Sequence, residues 1–436
     1  MEPSKAASGA RYALAVLFAI NLLNFFDRQL PGSLAEQIRR EFHLNDTALG
    51  GLATVFTLVY AVAGIGFGRA TDRRRRTRLV ALGTAAWSVL TAASGLAQTY
   101  VQLFVTRMGV GIGEATCAPA AQSLVGDFFP PQRRARAMGT FMLGLPAGVC
   151  LAYLTAGAVG AALGWRSALL LACLPGLALA LLALRIREPE RGASEPPAKR
   201  MPAEQGLSAC LTVLRIPTMW WIVLSGVFHN FNMYAINTFQ TPFLQRFHAM
   251  SLREASNVSA LSLGAVGAIG LLGGGWLADR WSTRRRDGRL LLAACCMILA
   301  APCIFFALQQ PKGAAISFTL LMALGSTNMF VYYSTVYAAI QDVIEPRLRG
   351  TAVAIYFCAM YVLGASFGTT VTGLLSDHFA HRAMAAAGAG TMTEAFRAAG
   401  LHSAMYIVPM VALLAAGALF AASRTVAKDM ARLGRT

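Results

Sequence analysis

The chain writes the same loop twice, half its length apart. Gly68-x3-Asp72-Arg73 opens a basic run through Arg74, Arg75, Arg76 and Arg78, and Gly275-x3-Asp279-Arg280 opens another through Arg284, Arg285, Arg286 and Arg289. A second pair agrees: Asp127-x3-Pro131-x2-Arg134 returns as Asp342-x3-Pro346-x2-Arg349. Each of these loops joins two long apolar stretches. A unit duplicated in this way restricts the fold to two matching helical bundles in a membrane.

Composition supports the same reading. Of 436 residues, 56% are hydrophobic and only 13% charged, against about 25% charged in a soluble domain. The net charge of +18 does not point to nucleic acid. The basic residues occupy short loops, and no basic surface with interleaved aromatics accompanies them.

A bilayer crossing takes about 20 mostly apolar residues. Twelve such stretches are expected, at 11–33, 47–70, 78–98, 100–127, 136–160, 165–184, 217–244, 253–278, 289–309, 313–341, 350–376 and 402–423. The fold class is therefore an all-α membrane protein, its twelve helices in two pseudo-symmetric six-helix bundles. Residues 1–187 form the first bundle, the proline-broken stretch 188–206 a cytoplasmic linker, and residues 207–436 the second. The first stretch, from Tyr12, is too long for a signal-peptide core. Asn45 and Ser251 stand where the second and eighth spans need N-caps.

With both termini inside, only Arg39, Arg40, Arg166, Arg246, Arg253, Lys312, Arg382 and Arg397 lie outside, and Arg28 and Arg107 lie within spans. That bias sets both termini in the cytoplasm, in what reads as a bacterial inner membrane. Leu207–Leu214 is expected as a short helix along the cytoplasmic surface, and 377–400 as an outside loop. The basic tail after Arg424 is expected against anionic lipid. All cysteines but Cys210 fall within spans, without metal or disulfide spacing, and read as small core residues. His378 and His381 lack further ligands, so no metal and no cofactor is expected.

The repeated loops read as gates. A carboxylate at a helix end can pair with arginine and cap a neighbouring helix N-terminus. Gly68, Asp72, Arg73, Arg76, Asp127 and Arg134 would form one such latch; Asp279, Arg280, Asp342 and Arg349 would form the other. Gly68 and Gly275 would let helices approach closely. The bland alternative is that these arginines only set topology. Gly68-x3-Asp72-Arg73-x2-Arg76 is similar to the signature loop between spans two and three of the major facilitator superfamily, with Arg75 in place of its usual glycine. The glycine- and proline-rich Gly144-Leu145-Pro146-Ala147-Gly148 suits the fifth span of that superfamily.

Charges inside spans cost several kcal/mol by most estimates and are usually functional. There are four here: Asp27 and Arg28 in the first span, Arg107 and Glu114 in the fourth. The last six spans have none. Arg107 and Glu114 are seven apart, almost two helical turns, so both face one side. The expected pairings are Arg28 with Glu114 and Asp27 with Arg107. They could be purely structural ion pairs. They could equally form a proton switch, in which protonating Glu114, or Asp27, releases Arg28 to hold an anion.

Asn24-Phe25-Phe26-Asp27-Arg28 and Arg107-x3-Gly111-Ile112-Gly113-Glu114-Ala115 resemble the corresponding strings of spinster-type transporters. Asp72-Arg73-x2-Arg76 and Gly373-Leu374-Leu375-Ser376-Asp377 resemble theirs as well. The resemblance implies secondary transport of an amphiphile with an anionic head group, lysophospholipid or sphingolipid. The Asp-Arg and Glu pattern also looks like anion symporters of the sialic-acid and hexuronate kind.

The second half offers neutral groups instead. His229, Asn230, Asn232, Asn237 and Gln240 lie in the seventh span, Asn328, Tyr332, Tyr333 and Tyr337 in the tenth, and Tyr356 and Tyr361 in the eleventh. Of these, His229, Asn230, Asn237, Asn328, Tyr333, Tyr337 and Tyr356, with Arg28 and Arg107, are the candidate substrate contacts. Each could instead pack helix against helix. No nucleophile with its base, no metal triad and no nucleotide-binding loop is visible, which argues against an enzyme or an ATP-driven pump. The expected partners are a small amphiphilic or organic-anion substrate and the bilayer, with the chain acting as a monomer powered by a proton gradient. A sensor that binds without transport is the remaining class.

Overall fold

The computed structural model describes residues 3–191, 193–194, 207–345 and 348–432, apart from the side chains at 3–8, 69, 72, 131, 135 and 207. Among the described residues there are helices and no strands. Contacts divide the chain into two compact units. Unit 1 is Met1–His43 with Val55–Arg200; unit 2 is Leu44–Thr54 with Met201–Thr436. Most of the linker, and Pro346 of the second repeat, lie outside the described residues.

Unit 1 holds α1 (Pro3–Ser33), the short α2 (Ala35–Glu41), all but the start of α3 (Asp46–Arg73), and α4 (Arg76–Gly95), α5 (Tyr100–Glu114), α6 (Cys117–Phe128), α7 (Pro131–Met142), α8 (Gly144–Thr155) and α9 (Ala161–Leu184). Unit 2 holds α10 (Leu207–Leu214), α11 (Pro217–Arg246), α12 (Leu252–Ser259), α13 (Val266–Ser282), α14 (Gly288–Leu308), α15 (Ala315–Val343), α16 (Arg349–Ala359), α17 (Ser366–Ala386), α18 (Glu394–Met405) and α19 (Ile407–Arg432). Single π-helical turns at Ala156–Gly160, Ala260–Ala265 and Met360–Ala365 join α8 to α9, α12 to α13 and α16 to α17.

Among the described residues, eight helical stretches are long and apolar enough to cross a membrane, or nine if the bent pair Ser208–Leu214 and Pro217–Arg246 is one span. The predicted spans 136–160 and 165–184 fall in one of these stretches, where Gly164 (φ 83°) breaks the helix. The fourth predicted span is absent from the count because it is interrupted at Ala115 and Thr116, leaving α5 and α6 each too short. Asn45 caps α3 by accepting from the Ala48 amide (2.8 Å). Ser251 and Glu254 form a capping box on α12.

Two sequence expectations need correction, the loop 377–400 and the core reading of two cysteines. Much of 377–400 is helical, since α17 runs on to Ala386 and α18 starts at Glu394; alanine-rich segments favour helix. The tail after Arg424 continues α19 as far as Arg432, and buried Asp429 accepts from the Thr218 amide (3.1 Å) and hydroxyl (2.6 Å) and so caps α11. Cys295 and Cys358 are exposed rather than core residues, because a membrane protein can leave small apolar groups on its lipid-facing surface. Packing within unit 1 depends on glycine: a Cβ on Gly148 of α8 would lie 2.2 Å from the Leu22 carbonyl of α1. That close approach seats α1, which carries the charged motif, against α8.

Candidate functional site

The four charged side chains of the spans gather in unit 1, and α1, α3, α4 and α5 each supply part of their surroundings. Asp27 and Glu114 are fully buried, and Arg107 is 3% exposed. Arg28 donates to Glu114 Oε2 through Nε (3.2 Å) and Nη2 (3.1 Å), and Nη2 also reaches Asn24 Oδ1 (3.2 Å). This is the first of the two pairings expected from sequence. Glu114 is the last residue of α5; the helix break behind it aims its carboxylate across at α1.

The second pairing is not formed. Among the described residues, Arg107 makes no ion pair within 4 Å with Asp27. Instead the Trp87 indole donates to Asp27 Oδ2 (3.0 Å), while the Arg107 guanidinium lies 5.0 Å from the centre of the Phe56 ring. Glycine explains the exchange. A Cβ on Gly113 would lie 2.8 Å from Trp87 Cβ, so only glycine lets α4 bring the indole this near α5.

Aromatic rings enclose the cations. Arg28 lies 4.4 Å from the Tyr60 ring centre, 5.1 Å from Phe25 and 5.3 Å from Phe56. Phe56 thus faces both guanidinium groups, and cation–π attraction supports each. Asp27 Oδ1, Glu114 Oε1 and Arg107 Nη1 are buried and have no hydrogen-bond partner among the described residues. Buried polar atoms in folded proteins are usually satisfied. Unsatisfied ones on three of the four charged groups leave capacity for a proton or for a ligand's polar atoms. Trp87, Phe56 and Tyr60 escaped the sequence reading; only their helical phase relative to Arg28 could have flagged them.

The polar group within the spans of unit 2 is built from neutral side chains. His229 stacks on Tyr332 (centres 4.0 Å apart, 11° between planes) and meets Tyr333 edge-on at 4.9 Å. Tyr333 leads to Tyr337 (5.9 Å) and Tyr337 to Tyr356 (5.8 Å). Tyr356 donates to the Tyr332 hydroxyl (3.1 Å), which also pairs with Ser225 (2.9 Å). The candidate contacts His229, Tyr333, Tyr337 and Tyr356 therefore form one aromatic group. Others do not join it: Asn230 is tied to the Met360 carbonyl (3.1 Å), and Asn328 to Leu324 of its own helix (2.8 Å). Asn237 lies half-buried in α11.

The repeated loops form ionic clusters, one in each unit. In unit 1, Arg76, only 1% exposed, pairs with Asp127 and with Glu188 (3.1 Å). Glu188 also accepts from the Arg76 amide (2.9 Å) and the Thr77 hydroxyl (3.0 Å), capping α4. Burial works to raise this carboxyl, but the bonds from Arg76 and Thr77 outweigh it and hold it below its ordinary range. In the sequence Glu188 reads as the first residue of the linker. In unit 2, Arg289 pairs with Asp342 and with exposed Asp279 (3.3 Å).

The other expected gate residues are looser. Arg73 is exposed, Arg134 reaches the Phe129 carbonyl (3.4 Å) and Arg349 the Gln341 carbonyl (3.3 Å). Arg280 stands 5.9 Å from the Trp276 ring, and the Asp72 side chain lies outside the described residues. Gly68 and Gly275 do not bring helices together. A Cβ would meet nothing within 4 Å at Gly68 and only Ser334 at 3.8 Å at Gly275. In α13 the close approach is made by Gly270, where a Cβ would lie 2.4 Å from the Thr327 carbonyl.

A profile of the Major Facilitator Superfamily matches residues 17–369. The chain belongs to the major facilitator superfamily. It is 34% identical over 370 residues to a protein of Mycolicibacterium smegmatis named MFS-type efflux pump, covering 84% of each chain. It is 30% identical over 396 residues to Protein spinster homolog 3 of Mus musculus, covering 84% of this chain and 75% of that one. A crystal structure of a bacterial homolog to the human lysosomal transporter Spinster, inward-facing and unoccupied, matches with a TM-score of 0.85 at 29% identity, over 98% of this chain and 99% of that one. The chain is thus an integral membrane transporter of spinster-like sequence, and not an enzyme.

Proposed function

We propose that this transporter is proton-coupled and moves an amphiphilic anion, of the lysophospholipid or sphingolipid type, by alternating access. The observation that carries the reading is the buried pair of Arg28 and Glu114, ringed by Phe25, Phe56 and Tyr60. A proton on Glu114 removes its hold on Arg28. The guanidinium is then available to the phosphate or carboxylate of the cargo, and loss of the proton restores the pair. Asp27, held by Trp87, is the second proton carrier, and Arg107 the second cation. The aromatic group of His229, Tyr333, Tyr337 and Tyr356 suits the uncharged part of an amphiphile.

In this reading residues 1–187 and 207–436 are the two halves of the machine, joined through 188–206. The clusters around Arg76 with Asp127, and Arg289 with Asp342, are its gates. It works as a monomer in a bacterial inner membrane with both termini in the cytoplasm. A second reading, a sugar-acid/proton symporter, is favoured by the likeness of Asp27, Arg28 and Glu114 to anion symporters and by the tyrosine hydroxyls of unit 2.

The test is flux in proteoliposomes with an imposed pH gradient, offering a lysophospholipid, a sphingolipid and a sugar acid in parallel. Gradient-driven movement of an anionic lipid is expected. Movement of the sugar acid alone would transfer the assignment to the second reading. Flux indifferent to the gradient would reject proton coupling.

A further inference from the structure

Gln240 of α11 stands apart from the aromatic group of unit 2 and belongs to another buried polar cluster. Its Nε2 donates to the hydroxyls of Ser259 (3.1 Å) and Ser262 (2.9 Å), and the Thr241 and Ser259 hydroxyls bond to each other (3.2 Å). Gln240, Thr241, Ser256, Ser259 and Ser262 are each 0% exposed. Gln240 Oε1 and Ser256 Oγ have no hydrogen-bond partner among the described residues. The helices are interrupted on both sides of the cluster. In α11, Pro242 has no amide to give the Thr238 carbonyl one turn back. On the other side, α12 passes at Ala260 into the π-helical turn that holds Ser262. Such a turn shifts the bonding by one residue and leaves a carbonyl without its helical amide. All of these residues belong to unit 2.

We propose that this cluster is a binding site for a sodium ion. Its side chains are neutral and carry oxygen, the ligand chemistry of a hard cation. Thr241, Ser259 and Ser262 supply hydroxyl oxygens. A half-turn of the Gln240 amide brings Oε1 to the place of Nε2, 2.9 to 3.1 Å from both serine oxygens. The serine hydrogens can then turn to carbonyls of their own helix. The interruptions at Pro242 and at the π-turn add backbone oxygens, and broken helices in transporters present such carbonyls to sodium. No carboxylate joins the cluster among the described residues, so the ion carries a single charge; a divalent ion out of water needs countercharge. Oxygens at this spacing close on sodium more readily than on the larger potassium. Plain helix-to-helix bonding accounts for Gln240 Nε2. It accounts neither for the two buried oxygens left over nor for the break in both helices. Gln240 is six residues before Arg246, the last residue of α11, so about 9 Å of helix separates the cluster from that end of the unit. The site takes a different ion at a different place from the pair of Arg28 and Glu114, and stands or falls apart from the proposed function.

Thermal melting of the full chain in detergent, in sodium, potassium or choline chloride at one ionic strength, tests the site without cargo or pH gradient. Sodium alone should raise the melting temperature, and the rise should saturate. It should also slow hydrogen exchange at 256–265 and leave α4 unchanged. Ser262→Ala removes one ligand and should raise the sodium concentration at half-effect about tenfold, the scale of one bond to a charged group. Gln240→Glu puts a carboxylate at the same place and, in mildly alkaline buffer, should lower that concentration. If Ser262→Ala fails to fold, the wild type and Gln240→Glu decide by themselves. Equal melting in the three salts, potassium acting as strongly as sodium, or variants with the wild-type half-effect concentration would overturn the site.

Discussion

The membrane-embedded parts of the two units do different chemistry on matching scaffolds. Unit 1 gathers Asp27, Arg28, Arg107 and Glu114 within its spans and steadies the cations with aromatic rings. Unit 2 buries a histidine among tyrosines, with hydroxyl-to-hydroxyl bonds. A duplicated fold therefore does not imply a duplicated site. The charged group of unit 1 can take up protons or pair with anions; the His229 and tyrosine group of unit 2 offers shape, stacking and neutral hydrogen bonds. The loops show the same inequality. Glu188 caps α4 and anchors a buried arginine, whereas Asp287, at the start of α14, spends its carboxylate on Arg285.

On that division, perturbations of unit 1 should dominate. The largest effect is expected from Arg28→Ala, which leaves Glu114 buried without its cation. Flux of an anionic cargo should fall at least about a hundredfold, with a stability loss of roughly 3–5 kcal/mol, read by flux and thermal melting. Near-normal flux would remove Arg28 from the mechanism. Next comes Glu114→Gln, which should retain cargo binding and flatten the pH dependence of flux. A pH profile like the wild type would move the proton to Asp27.

Smaller effects test the loops. Glu188 titrates lower in the folded protein than in the unfolded chain, so it contributes stability above its unfolded pKa, about 4.3. That contribution is lost as pH falls through that value toward the folded one. Glu188→Gln should lower the melting temperature at neutral pH and shrink its decline on acidification. Asp279→Asn, at an exposed ion pair, should cost at most a few tenths of a kcal/mol. The smallest functional effect is expected for Tyr332→Phe: about fivefold or less in cargo affinity, the scale of one net hydrogen bond, with the pH profile unmoved. A shifted profile would mean that unit 2 takes part in proton handling, and would break the contrast.

Much of this was legible in sequence because a bilayer enforces simple rules. Apolar length marked the helices, arginine marked the loops, and charge inside a span marked Asp27, Arg28, Arg107 and Glu114. The pairing of Arg28 with Glu114 followed from opposite signs and shared helical faces. The failed pairing of Asp27 with Arg107 shows the limit. Opposite charge says nothing about a neutral indole, and Trp87 reaches Asp27 only because Gly113 lacks a side chain. Glu188 was hidden for a similar reason, since a carboxylate just past a span looks like linker until the start of α4 is seen beside it. The bonds that tie Asn230 and Asn328 to backbone carbonyls leave no trace in spacing or composition.

The three π-helical turns carry a consequence for anyone editing this chain. Each accommodates one residue more than the α-turn it replaces, so a one-residue deletion inside Ala156–Gly160, Ala260–Ala265 or Met360–Ala365 can be absorbed by rewinding to ordinary helix. The same deletion a few turns away would rotate everything beyond it by about 100° and turn lipid-facing side chains inward. Register in these helices is forgiving at three short places and strict elsewhere.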